Sequence, residues 1–163
     1  PISLFTKYFS YRLQTSEIRM EITMTYTIKE NELDYETYSS LRASVDWNNW
    51  NQKQAELALK NSYYTLTVWD KDKAIGMGRV VGDGIYFTIV DIVVRPEYQG
   101  QKIGTAVMES LLSYIKKNMC ENSRVSIQLI AELGKEPFYI KQGFKLIPHE
   151  FCGPALRKII YKN

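Results

Sequence analysis

The chain has few of the residues that build metal centres and disulfide frameworks. Among its 163 residues are two cysteines, Cys120 and Cys152, and one histidine, His149. No Cys-x-x-C pattern and no histidine pair accompanies them, so the sequence predicts neither a zinc site nor a disulfide framework. We therefore expect both cysteines to be inert and no metal to be bound.

Long apolar runs are also missing. No run approaches the 18 residues of a membrane-spanning helix, and residues 1–19 contain no apolar run followed by a cleavage site of small residues. The net charge of +3 is too small to favour nucleic acid, but it suits a ligand that carries phosphates. We expect a cytoplasmic protein with no membrane or nucleic-acid partner.

The composition is that of one globular domain. Apolar residues make up 45% of the chain and charged residues 24%, and a chain of this length can bury a substantial core. Residues 1–19 show no clean period, and the chain does not begin with Met. We interpret them as an N-terminal extension or an added expression segment before a single domain at 20–163.

Hydrophobic periodicity predicts a mixed α/β (α+β) sheet of about seven strands with helices on both faces. Three consecutive strands indicate an antiparallel meander, and a strand–helix–strand unit indicates one parallel pair. Asn31 and Asn51 are predicted helix N-caps. The predicted strands are 25–30, 63–69, 74–81, 85–94, 124–131, 144–147 and 156–162. The predicted helices are 31–45, 51–61, the segment after Gly104, and 134–142.

A glycine-containing loop joins the long strand to the third helix, in the sequence VVRPEYQGQKIGT at 93–105. The unpaired N–H groups of a helix N-terminus attract anions, and glycines let the backbone approach them closely. Lys102 adds a positive charge to the loop. An ordinary strand-to-helix connection is the alternative interpretation.

Two motifs carry a family resemblance. VVRPEYQGQKIGTAV resembles the acyl-CoA loop of the GNAT superfamily of N-acetyltransferases. The family's pattern is Q/R-x-x-G-x-G/A after a strand that ends V-x-P-x-Y/F-Q/R-G, and Gln99, Gly100 and Gly104 match these two parts. FYIKQGF, at 138–144, resembles the family's F-Y-x-K-x-G-F element. The resemblance covers about residues 25–161. It departs at Lys102, where the family has its first motif glycine; we expect lysine there to keep a negative φ and its ammonium to pair with a phosphate.

The resemblance implies direct transfer of an acetyl group from acetyl-CoA to a primary amine, with a small molecule as the expected acceptor. It also implies a GNAT-like twisted sheet and, at family level only, a homodimer. The residues it assigns to acetyl-CoA are Val93, Val94, Gln99, Gly100, Gln101, Lys102, Ile103, Gly104, Thr105 and Phe138.

Two residues are candidates for proton transfer. Tyr139 matches the family's tyrosine and would protonate the departing thiolate; the alternative is a packed aromatic ring with its hydroxyl at the surface. Asp91 is a lone carboxylate in an apolar strand and is the candidate base. The alternatives are a structural hydrogen bond or a water chain. Weaker candidates are Asp83, Glu132 and His149.

The acceptor site implied by the resemblance includes the segment DWNNW. Trp47 and Trp50, with Tyr38, are predicted to line an amine pocket, although a tryptophan can also simply close the core. Arg42 is predicted to be a solvated helix position. Two other functions stay open: an acyl-CoA-binding sensing module with weak or no turnover, and an enzyme that acetylates protein N-termini or lysines.

Overall fold

A computed structural model describes residues 5–12 and 21–161 of the chain. The chain forms two compact units, Pro1–Leu129 and Ile130–Asn163. Within the described ranges, no helix has both the length and the apolar character that a membrane span needs.

The first unit is built on a six-stranded sheet in the order β1-β2-β3-β4-β5-β6. Neighbouring strands are antiparallel, except for the parallel pair of β5 and β6. The strands are β1 (Phe5–Arg12), β2 (Glu21–Glu30), β3 (Tyr64–Asp70), β4 (Lys73–Gly82), β5 (Tyr86–Val94) and β6 (Ser126–Leu129). The helices are α1 (Tyr35–Ala43), α2 (Gln52–Lys60), α3 (Ile103–Lys117) and, in the second unit, α4 (Glu136–Ile140).

The connections explain this topology. The predicted antiparallel meander includes β4 and β5, which pair antiparallel. At their turn the Asp83 carboxylate accepts hydrogen bonds from the N–H groups of Ile85 and Tyr86 at 2.9 and 2.8 Å. Helix α3 joins β5 to β6, as a parallel pair requires a crossover. The mixed α/β class predicted from the pattern is therefore the observed class.

The helices cover both faces of the sheet, so successive residues of β4 face different helices. Met77 packs in a buried cluster with Tyr38 and Leu41 of α1. Its neighbour Gly78 faces α3, where an added Cβ would lie 2.8 Å from a methyl group of Val107. Glycine is required here because α3 packs directly against the strand.

Several predicted elements are wrong in detail. The predicted strands at 144–147 and 156–162 are not strands where the structure describes them, and the sheet has six strands rather than about seven. An apolar alternation marks a side that could be buried, but it does not supply a partner strand. Conversely, residues 5–12 pair with β2 along the whole of β1, although they show no clean period.

The two predicted N-caps have different outcomes. Asn51 caps α2, with its side chain accepting from the N–H of Gln54 at 3.4 Å. Asn31 does not cap α1: it adopts φ 57° and accepts from the N–H of Thr65 at 3.1 Å. The cap of α1 is Asp34, which accepts from the N–H of Thr37 at 2.7 Å. Both asparagine and aspartate suit such sites, so propensity alone did not distinguish them.

Candidate active site

A β-bulge interrupts β5 near its end. Met77 pairs with Val93, but Arg79 pairs with Val90, so the single residue between them on β4 faces two residues on β5. One of these two is Asp91, whose φ of 53° lies in the left-handed region. A bulge bends its strand and changes the direction of its side chains, and here it carries the predicted base.

The carboxylate of Asp91 is held by three donors. Arg42 Nη1 lies 2.7 Å from Oδ1, Arg79 Nε lies 2.8 Å from Oδ2, and the Tyr38 hydroxyl donates to Oδ2 at 3.2 Å. All three ion-pair side chains are only 9% exposed. The structural role left open by the sequence is thus present, and catalysis by Asp91 stays a prediction.

Burial raises the pKa of Tyr38 above its ordinary value. The neighbouring Asp91 carboxylate adds to this rise, while Arg42 and Arg79 oppose it. The phenol therefore remains a hydrogen-bond donor to Asp91 at neutral pH.

Arg42 is buried, so the prediction that it is a solvated helix position is wrong. Residues 38, 41 and 42 are spaced i, i+3 and i+4 and share one face of α1, and all three are buried. This spacing could have identified Arg42 as a buried position. Because a buried arginine needs a counter-charge, it also predicts a carboxylate opposite.

The three predicted acceptor residues surround the Arg42 guanidinium. Its carbon lies 5.5 Å from the ring centre of Tyr38, 5.1 Å from that of Trp47 and 5.7 Å from that of Trp50. These distances suit cation–π attraction. Tyr38 is buried and Trp47 packs partly buried on the core, whereas Trp50 is 54% exposed. Trp50 therefore offers the largest free ring surface.

Among the strands that the structure describes, none pairs with the outer edge of β5 beyond Ile89. The pairing of β5 with β6 ends at Ile89 and Leu129 among the described strands. The Arg95 N–H donates to Ile75 O at 2.9 Å, on the β4 side. Because N–H groups alternate between the two edges of a strand, the Val94 N–H points away from β4. Val94 is thus the open-edge donor, while its neighbour Val93 pairs with β4.

The predicted acyl-CoA loop follows directly. Gly100 has φ 76°, and an added Cβ there would meet no atom within 4 Å. The loop leads into α3, whose first N–H groups, at Ile103, Gly104 and Thr105, have no intrahelical acceptor. An unpaired strand edge next to a helix N-terminus fits a ligand with an acyl group at one end and phosphates at the other.

Lys102 differs from its expected conformation. It is the N-cap of α3 with φ 62°, not a residue with negative φ. This left-handed conformation strains a residue with a Cβ and suits glycine. Lys102 therefore departs from the family pattern only in its side chain, because its backbone adopts the left-handed conformation that favours glycine.

The second unit contains the predicted proton donor and Phe138. Tyr139 lies in α4, with its ring edge-on to Phe138 at 5.0 Å and to Phe144 at 6.4 Å. Burial raises the pKa of the Tyr139 phenol, and the carboxylate of Glu132 raises it further. Gly143 follows with φ 89°, as expected of a residue that ends a helix.

The other three candidates for proton transfer, Asp83, Glu132 and His149, are exposed. Asp83 serves the β4–β5 turn, and burial and the Glu132 carboxylate raise the pKa of Tyr139. His149 is exposed in the second unit, where its backbone bridges to Cys152. Both cysteines are exposed and free.

Together, the bulged strand, glycine loop and helix N-terminus form the arrangement expected of an acyl-CoA-dependent acyltransferase. Residues 32–161 match the family described as acetyltransferase (GNAT) domain. The chain belongs to this family of N-acetyltransferases, whose members use acetyl-CoA.

Three similar proteins place the chain within the family. An uncharacterized N-acetyltransferase (ycf52-like) of Prochlorococcus marinus is 32% identical over 71% of this chain and 65% of its own length. The rice chloroplastic serotonin N-acetyltransferase 2 is 30% identical over 76% of this chain and 62% of its own length. A Staphylococcus aureus protein of unknown function has a crystal structure with a TM-score of 0.70 and 36% identity, covering 82% of this chain and 99% of that one. The chain thus spans less than two thirds of the full length of the Prochlorococcus and rice relatives.

Proposed function

We propose that this protein transfers the acetyl group of acetyl-CoA directly to the primary amine of a small molecule. The observation that carries the proposal is the outer edge of β5 after Ile89, which no described strand pairs with and which is followed directly by the glycine loop and the N-terminus of α3. Acetyl-CoA would supply the activated thioester. The Val94 N–H would polarise its carbonyl, and the loop from Gln99 to Thr105 would receive its phosphates.

The acceptor would bind at residues 46–50, between α1 and α2, which include Trp47 and Trp50. Trp50 exposes half of its surface beside the positive charge of Arg42, and Trp47, which packs on the core, lies beside the same guanidinium. An aromatic surface suits an amine with an apolar body. The name of the rice relative, a serotonin N-acetyltransferase, supports an aromatic amine as one acceptor to test.

Two proton transfers complete the proposed reaction. The amine must lose a proton before attack, and the leaving thiolate must gain one. Tyr139 is the proposed donor because it occupies the tyrosine position of the FYIKQGF element. Burial raises the pKa of its phenol, which is therefore protonated at neutral pH. Asp91 is the proposed base. Because both of its oxygens already accept hydrogen bonds, a water chain is the alternative route for the amine proton.

The decisive experiment measures release of free CoA thiol from acetyl-CoA with a panel of acceptors. The panel contains tryptamine, spermidine, a free amino acid and peptides with a free N-terminus or a lysine. We expect turnover with a small amine. Turnover with peptides alone would indicate a protein acetyltransferase. Binding of acetyl-CoA without turnover on any acceptor would support the sensing module instead.

A substitution of Trp50 tests the proposed acceptor site. Trp50→Ala should raise the KM of the amine about tenfold, equivalent to about 1.4 kcal/mol, and leave the KM of acetyl-CoA unchanged. Tyr86→Ala removes a ring that is 68% exposed at the start of β5, and it is the matched control. Equal amine KM values for the two variants would remove Trp50 from the acceptor site.

We also propose a cytoplasmic location and a homodimer. Cell fractionation and light scattering test these two statements, and the chloroplastic name of the rice relative makes an organelle the alternative location.

A further inference from the structure

Arg42 makes two short hydrogen bonds in different directions. Nη1 donates to Asp91 Oδ1 at 2.7 Å, and Nη2 donates to the backbone carbonyl of Asn48, also at 2.7 Å. Asp91 forms the bulge of β5, three residues before Val94. Asn48 lies between Trp47 and Trp50, in the segment 46–50 that we call the acceptor loop. One buried side chain therefore contacts both halves of the proposed site.

We propose that Arg42 is a positioning residue that fixes the acceptor loop relative to the acetyl-binding bulge of β5. The inference rests on the proposed function, because it takes the loop as the amine side and the bulge as the acetyl side. Arg42 acts through Asn48 and Asp91 and does not need to touch either substrate. Its effect is to set the distance between the amine and the thioester carbon, on which the transfer rate depends steeply.

The chemistry of the guanidinium suits this task. It is planar and rigid, and it offers several N–H groups in a fixed fork, so two partners are held at a fixed angle. The rings of Trp47 and Trp50 lie beside the same group and restrict it further. A lysine ammonium is a point charge on a flexible stem. It could pair with Asp91 but would not hold Asn48 in the same geometry.

Arg79 provides an internal comparison. It also binds Asp91, through Nε at 2.8 Å, but its Nη1 donates to the Ala58 carbonyl at 3.2 Å and to Ser62 Oγ at 2.8 Å. Those partners belong to the end of α2 and the residues after it, not to the acceptor loop. Arg79 thus links the bulge to the end of α2, whereas Arg42 links the bulge to the acceptor loop.

The charge balance of this cluster allows either arginine to be substituted without leaving Asp91 unpaired. The cluster of Arg42, Asp91 and Arg79 carries one net positive charge. Removing either arginine leaves a neutral ion pair, so Asp91 is not left as a buried charge without a partner. Removing Asp91 instead would leave two buried cations, so Asp91 variants are poorer probes.

The experiment compares four variants with the wild-type protein: Arg42→Met, Arg42→Lys, Arg79→Met and Arg124→Met. Arg124 is exposed in the segment before β6, and its variant controls for the substitution itself. Steady-state CoA release gives kcat and both KM values, well below each variant's melting temperature. Hydrogen exchange of the amides at 44–51, measured by mass spectrometry, reports on the loop without requiring turnover.

We expect Arg42→Met to raise the amine KM about tenfold and to lower kcat about tenfold or more, with the KM of acetyl-CoA within twofold. Arg79→Met should lower kcat and leave the amine KM within twofold. Arg42→Lys should raise the amine KM while retaining more of kcat than Arg42→Met. Loop amides should exchange at least about tenfold faster in both Arg42 variants and at the wild-type rate in Arg79→Met and Arg124→Met.

The two proposals fail separately. If the wild-type protein releases no CoA with any acceptor, the proposed function fails, and the exchange data still decide whether Arg42 holds the loop. Unchanged exchange at 44–51 in Arg42→Met overturns the inference. Identical changes of kcat and amine KM in Arg42→Met and Arg79→Met also overturn it. Arg42 would then act, like Arg79, only through the general structure around Asp91.

Discussion

The Gln99 side chain donates through Nε2 to the carbonyl of Val94, across 3.0 Å. The first residue of the loop is thereby attached to the last residue of β5. Of the four intervening residues, Pro96–Tyr98 form a single 3-10 turn, so the loop starts at a fixed position relative to the open N–H of Val94. We expect this contact to set the spacing between the phosphate end and the thioester end of the acetyl-CoA site.

The left-handed backbone of Lys102 gives the first prediction. Lys102→Gly removes both the ammonium and the strain of φ 62°, whereas Lys102→Ala removes the ammonium alone. Since left-handed backbone costs a residue with a Cβ about 1 kcal/mol, Lys102→Gly should melt higher than Lys102→Ala by a few degrees. Differential scanning calorimetry of both variants checks this, and equal melting temperatures would contradict it.

The same pair tests the role of the ammonium in binding. Both variants should bind CoA more weakly than the wild-type protein in low salt, and the difference should shrink as salt screens the charge. Isothermal titration calorimetry at two salt concentrations measures this. Wild-type affinity in both variants at low salt would show that Lys102 does not pair with a phosphate.

Gly104 gives the second prediction. It is the second residue of α3, where the helix N–H groups would face the phosphates, and a branched side chain there should keep the backbone from approaching them. Gly104→Val should therefore weaken CoA binding at least about tenfold, or about 1.4 kcal/mol. Ser113→Val, at an exposed position of the same helix, is the control for valine in α3. Equal CoA affinity in both variants would remove the loop from the site.

The sequence predicted the parts of the site that are local. The order of β5, loop and α3 follows from apolar periodicity and glycine placement, which a single stretch of chain contains. The bulge at Asp91 is a property of two strands in register, so the pattern of β5 alone did not reveal it. The spacing on α1 marks Arg42 as a buried position, but it does not identify the partner. Asp91 lies 49 residues away and meets Arg42 only when α1 packs on the sheet.

The N-terminal strand gives the third prediction. The periodicity predicts that a chain starting at Met20 folds and binds acetyl-CoA, but β1 pairs with β2 over eight residues. Removing residues 1–19 would expose the hydrogen-bonding edge of β2. We expect the truncated protein to fold with a melting temperature at least about 5 °C lower, which for a domain of this size corresponds to roughly 2 kcal/mol. A melting temperature within 1–2 °C of the full chain would show that these residues are dispensable.

The hydroxyl of Tyr139 gives the last prediction. Phe is nearly isosteric and removes only the proton donor, so Tyr139→Phe should fold normally and keep its affinity for acetyl-CoA. If the phenol protonates the leaving thiolate, kcat should fall about 10²–10⁴-fold, the usual contribution of a positioned acid. Tyr161→Phe, at an exposed tyrosine of the same unit, is the control and should retain wild-type kcat.

The pH profile separates this role from a packing role. Burial and the Glu132 carboxylate raise the pKa of Tyr139 above the ordinary value of 10.0, so the folded protein keeps the phenol protonated until above that pH. A group with a raised pKa supplies its proton below the ordinary value and loses it as the pH rises through the raised value. Wild-type kcat should therefore not decline through Tyr139 between pH 6 and 10, and a falling limb should appear only above 10. This limb should be absent in Tyr139→Phe. If steady-state CoA release shows kcat within a few-fold of wild type and the same alkaline limb in the variant, the phenol is a packed aromatic group and water is the better candidate for the donor.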